Sequence, residues 1–189
     1  MHRFKRRGGV ISTDLSADEV GLLESLLHEL IELVGTEDRK PAAGQDPDDP
    51  FAAWAAELGD DQPVEAPDDP VLRRLLPDAY PDDPKASAEF RRFTDRDLRQ
   101  KKIDDAEVAL RQLAETDGGR ETLRIPLEDV GSWLRVLTSL RLAVAGRLGI
   151  TDNATADAIA SIDEEDPRSF MVSVYDWLGF AQETLVSAL

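Results

Sequence analysis

Residues 130–149 read VGSWLRVLTSLRLAVAGRLG, and this stretch decides the fold class. Val130, Trp133, Leu134, Leu137, Leu140, Val144 and Leu148 recur at steps of three and four residues. That spacing gathers them on one face of an α-helix, and Gly149 supplies the stop. No other stretch of the chain carries so broad an apolar face. It is the expected core helix.

Toward the C-terminus, Asp166-Pro167 places a capping carboxylate before a proline. A final helix follows, carrying Phe170, Val174, Trp177, Leu178, Ala181 and Leu185. Thr151–Ile162 has room for one short helix between the two. Toward the N-terminus, Thr122–Ile125 has a strand signature closed by Pro126. Before it, Asp83-Pro84 opens a long helix to about Glu115, which Gly118-Gly119 ends. Its apolar members are Phe90, Phe93, Leu98, Val108, Leu110 and Leu113, with the stripe interrupted near Gln100. Asp49-Pro50 and Asp69-Pro70 launch short helices through Trp54–Leu58 and Val71–Leu75. Thr36–Asp49 is rich in Pro, Gly and Asp and has no apolar face, so a mobile acidic loop is expected over about 36–49.

Ser16 and Glu19 form a capping box ahead of Val20, Leu23, Leu27, Leu30 and Val34, which predicts a helix over 17–34. Phe4–Arg6 and Val10–Leu15 flank Gly8-Gly9, the signature of a β-hairpin. A lone hairpin is marginal, and the 122–125 strand could make it a sheet. The expected architecture is therefore mainly α: one helical domain over 1–189 with a small antiparallel β element near the N-terminus. No period of 20–50 residues repeats, which excludes a solenoid.

The charge balance narrows the function. Lys and Arg number 22 against 39 Asp and Glu, a net charge of −17, which repels nucleic acid and anionic membranes. The chain has no cysteine, so it carries no disulfide, thiolate metal site, cysteine nucleophile or thiol switch. Its basic start, MHRFKRRGGVISTDL, precedes no apolar run of signal-peptide length, and a cytoplasmic location is expected.

Charge is also segregated. Residues 46–83 hold twelve acids against two arginines, while 85–102 hold seven basic side chains against three acidic ones. Arg91, Arg92, Arg96, Arg99, Lys101 and Lys102 are the candidate partner-binding residues, able to grip an acidic protein surface or phosphates. The competing readings are a solvated face, and docking of the acidic segment onto the cationic helix that follows it. A further basic arm, Arg3, Lys5, Arg6 and Arg7, lies at the start.

Residue types for catalysis and metal binding are scarce. With only His2 and His28, a Ser-His-Asp triad has almost no material, and Glu24/His28 is half of a helical metal site at most. Asp46, Asp48 and Glu57 match three calcium-loop positions, but Pro50 and Phe51 occupy those needing an oxygen ligand and a glycine. Asn153-Ala154-Thr155 matches a glycosylation acceptor without a secretory context. No metal, cofactor or catalytic role is expected. Tyr175, Trp177 and Phe180 offer an aromatic surface, though Trp177 shares the core stripe. Apolar surface left on the long helix and the last helix suggests a homodimer.

Three phrases, FKRRGGVIS at the start, SLRLAVAGRLGI at 139–150 and VYDWLGFAQETLV at 174–186, resemble an actinobacterial family of unknown function. That family is similar to the AosR group of oxidative-stress and transcriptional regulators. The resemblance implies a noncatalytic regulator acting through contact with RNA polymerase or a sigma factor. An adaptor in protein turnover and a DNA-binding regulator using the basic helix are the alternatives. The phrases consist of packing residues, so no functional residue carries over, and cysteine-based redox sensing is impossible in this chain.

Overall fold

The computed structural model describes residues 1–35, 63–163 and 165–189. The expected acidic loop, the helix at Trp54–Leu58 and the partial calcium-loop pattern lie outside them. Among the described residues are β1 (Lys5–Arg7), β2 (Val10–Thr13) and α1 (Ala17–Gly35). Next come α2 (Pro70–Leu75), α3 (Pro84–Ala114), β3 (Leu123–Pro126) and a 3-10 turn at Leu127–Asp129. Then follow α4 (Val130–Leu148), α5 (Asn153–Ala160) and α6 (Ser169–Val186). The mainly helical fold with a small antiparallel sheet matches the expectation.

The hairpin closes between Arg7 and Val10, with Gly8 at φ 61° in the first central position of the two-residue turn. A side chain there would be strained, so glycine sets the turn and hence the register. The 122–125 strand supplies the third partner: β3 pairs antiparallel with β2, Ile11 opposite Ile125 and Thr13 opposite Leu123. Pro126 takes the last pairing position, where its missing N–H costs least. Phe4, Ile11, Leu123 and Ile125 turn into the core, as period-two alternation requires.

The capping box at α1 is present in both directions: Ser16 N donates to Glu19 Oε2 at 2.8 Å, and Glu19 N donates to Ser16 Oγ at 3.3 Å. Asp69 and Asp83 cap α2 and α3 as expected, accepting from Val71 N and Ala86 N. Asp166 departs from the expectation. Its carboxylate accepts from the backbone and guanidinium of Arg168, and α6 begins three residues after it, at Ser169.

Helix α4 is the centre, with Trp133, Leu137 and Leu140 buried and α2, α3 and α6 packed on it. At its start Trp133 Nε1 donates to Gln112 Oε1 at 2.6 Å, and Gln112 Nε2 donates to Asp129 Oδ2 at 2.7 Å, so the buried indole is satisfied. Gly119, at φ 85°, lets the turn after α3 pass against the β2–α1 junction. A Cβ there would stand 2.8 Å from the Leu15 carbonyl oxygen.

The expected apolar stripe of α3 is corrected in its first half. Phe90, Phe93 and Leu98 are exposed, and the face turned inward carries Ser87, Arg91, Asp95 and Arg99. Only from Ala106 onward does the buried face become apolar, through Ala109 and Leu113. The inward row is itself unbroken at helical spacing, and the interruption near Gln100 belongs to the outward face.

Candidate functional site

Helices α1 and α6 lie on the same side of α4. They are tied where Trp177 Nε1 donates to Glu19 Oε1 at 3.1 Å, and Glu19 also pairs with the α-amino group of Met1. Burial pushes the Glu19 carboxyl up. Hydrogen bonds from that amino group, the Ser16 backbone and Trp177 overcome the push and hold it below the ordinary range. Beyond this tie the two helices leave a groove of about 610 Å³. Its floor is Leu140, Ala143 and Val144 of α4, one wall is Leu22, Leu26 and Leu33 of α1, and the other is Phe170, Met171 and Val174 of α6.

Phe170 is 70% exposed. The sequence places it in the buried stripe of the last helix, whereas the structure leaves it at the mouth of the groove. Glu29, Glu32 and Arg147 supply the charge around this apolar surface. From Leu22 to Leu33 the wall runs three helical turns, roughly 16 Å at about 1.5 Å per residue. Sequence reasoning missed the groove, yet a signal exists. Leu22, Leu26 and Leu33 form a second apolar row beside the buried Leu23, Leu27 and Leu30, more than one core face needs.

The six candidate cations do not form one surface. Arg91 and Arg99 point inward: Arg91 pairs with Asp78 and donates to the Val64 carbonyl at 3.0 Å. Arg99 pairs with Asp95 and donates to the Val34 carbonyl at 2.8 Å. Lys102 is half-buried, its ammonium 3.4 Å from Ser139 Oγ, and burial lowers its pKa from the usual lysine range. Lys101 lies 3.2 Å from Asp105. Arg92 sits 3.8 Å from Glu89, with its guanidinium 4.6 Å from the Phe93 ring centroid. Arg96 is exposed. The Asp78–Arg91 pair shows that part of the acidic segment does hold the cationic helix.

Asp105 anchors α3 to α4. Burial raises its carboxyl, but Arg135, at 2.7 and 2.8 Å, together with Lys101 brings it below the usual aspartate range. His28 is exposed, with Nδ1 2.7 Å from the Glu24 carbonyl oxygen, the boundary role expected of a lone helical histidine. Thr155 of the acceptor-like triplet completes a capping box with Asp152. Trp177 is half-buried, and Tyr175 lies under the Arg141 guanidinium, 5.2 Å from its ring centroid. Among the described residues no three His, Cys, Asp or Glu side chains gather as a metal site, and no helix is long and apolar enough to cross a membrane.

The oxidative stress regulator AosR of Mycobacterium bovis is 32% identical over 196 residues, covering 97% of this chain and 84% of that protein. The protein of the same name from Mycobacterium tuberculosis H37Rv gives the same figures. The putative oxidative stress regulator AosR of Mycobacterium leprae is 33% identical over 139 residues, 67% of this chain and 61% of that protein. No solved structure matches the chain. The family model described as a domain of unknown function, DUF2017, matches residues 1–189, and the chain belongs to that family.

Proposed function

We propose that the chain is a noncatalytic regulator in a stress-linked response, and that it works by seating an amphipathic helix of another protein in the α1–α4–α6 groove. The partner class is RNA polymerase or a sigma factor. The observation that carries this reading is the groove, an apolar trough three turns long with Phe170 and Met171 standing at its mouth. Helix-in-groove recognition needs that shape, and the acidic Glu29 and Glu32 favour basic flanks on the incoming helix. The relatives' names support the regulatory part, since they are oxidative stress regulators. These 189 residues have no thiol to sense an oxidant, so the partner, or a signal of another kind, brings the stress input. Inward-facing Arg91 and Arg99 take two cations from the alternative of a DNA-binding helix.

A photo-crosslinking side chain placed at Phe170, exposed to a lysate of the native organism at moderate salt, tests the reading. The expected product contains a polymerase subunit, a sigma factor or another regulator, and Phe170→Asp abolishes capture of the same protein. Products that contain a protease component, or only a second copy of the chain, would replace it with the turnover adaptor or the homodimer.

A further inference from the structure

The outer face of the three-stranded sheet is a cationic island on a chain of net charge −17. The register sets Lys5, Ser12 and Arg124 in one row across the sheet, and Arg7, Val10 and Pro126 in the next row but one. Side chains two apart on a strand share a face, so Lys5, Arg7 and Arg124 project together, opposite the face that buries Ile11 and Ile125. All three are exposed, and none has a side-chain partner among the described residues. Elsewhere in the molecule Asp78, Asp95 and Asp105 each hold an arginine, whereas no carboxylate of the described residues reaches these three cations.

The sheet order is β1-β2-β3, so β1 has no strand on its far side among the described residues. Arg7 and Val10 close the two-residue turn as a hydrogen-bonded pair. Alternation along the ladder then aims the N–H and C=O of Arg6 at the open edge. The Arg6 guanidinium reaches the Leu189 carbonyl on the core side, where Val186 and Leu189 are 51% and 56% exposed. The edge therefore offers backbone hydrogen bonds, cations on one side and apolar surface on the other.

We propose that β1 accepts an extended acidic segment of a partner protein as a fourth strand, with Asp or Glu alternating with apolar residues. The acids meet Lys5 and Arg7, the apolar residues lie over Val186 and Leu189, and Arg6 supplies the main-chain hydrogen bonds. This surface is separate from the groove and does not depend on it. Lysine and arginine on an edge strand also guard against unwanted pairing, and that reading predicts no binding.

Fluorescence anisotropy with a labelled short peptide alternating Glu and Val tests the proposal. Controls are a peptide of the same residues with proline at every other apolar position, and a duplex oligonucleotide. The expected result is binding that weakens with salt, falls on the order of tenfold for the proline peptide, and falls as much for Lys5→Glu/Arg7→Glu. Both substitutions are exposed, and circular dichroism checks that the variant stays folded. Equal binding of the two peptides would reduce the effect to charge attraction alone. Tighter binding of the duplex would make the face a phosphate surface. Either result, or no peptide binding at low salt, overturns the proposal.

Discussion

The first half of α3 and the first turns of α6 exchange the roles that their residue types suggest. The cations of α3 look like an outward docking face, yet Arg91 and Arg99 are buried and hold Asp78, Asp95 and two backbone carbonyls. Phe170 looks like core, yet it stands exposed beside the groove, next to Met171. The difference teaches that burial follows which neighbours exist to satisfy a group. An arginine fork can be buried where a carboxylate and a carbonyl meet it, and Phe170 stays outside where none of the described elements covers it.

The sharpest way to break this comparison is to remove a buried charge. Arg99→Met strands the Asp95 carboxylate, whose Oδ1 already has no hydrogen-bond partner. Urea unfolding is expected to show a loss of about 3–5 kcal/mol. Adding Asp95→Leu to the same chain should recover most of it, because a well-packed apolar pair replaces the ion pair. If Arg99→Met costs nothing, the first half of α3 is a surface after all. In the second half, Leu113→Ala should cost about 2–5 kcal/mol by leaving a cavity at a fully buried site. Gln112→Leu leaves the Trp133 indole N–H unpaired and should cost about 1–3 kcal/mol.

Acid acts on the ties that hold α3 to α4 and α1 to α6. Asp105 and Glu19 have folded-state pKa values below their ordinary ones. Their contribution to stability is therefore full above the unfolded values, about 3.9 and 4.3. It is lost as pH falls through the lower folded values. The urea midpoint should decline across that acidic window, and less steeply in Asp105→Asn. The smallest effect on stability belongs to Phe170→Asp, expected within about 0.5 kcal/mol of the parent chain because the side chain is mostly in water.

Much of the fold was legible. Asp-Pro pairs fixed two helix starts, Ser16 and Glu19 a third, and the Gly8-Gly9 turn with the TLRI stretch gave all three strands. These signals are local, because a cap or a tight turn is satisfied within a few residues. The buried face of α3 was not legible. Periodicity weighs apolar residues, and here the inward positions are arginine and aspartate whose partners Val34, Val64 and Asp78 come from elsewhere in the chain. The groove escaped for the same reason. The second leucine row of α1 is visible in sequence, but whether another helix covers it depends on how α1 and α6 diverge from their tie at Glu19 and Trp177. Asp166 misled by one motif: its carboxylate spends its hydrogen bonds on Arg168, and its pKa falls to about 2.

The exchange of roles is tested most directly by capture of partner protein from the native lysate on three forms of the chain: the parent, Phe170→Asp and Arg96→Glu. Phe170→Asp is expected to lose the captured polymerase subunit, sigma factor or regulator, while Arg96→Glu, at an exposed cation of α3, keeps it. Capture lost with Arg96→Glu and kept with Phe170→Asp would contradict docking in the groove.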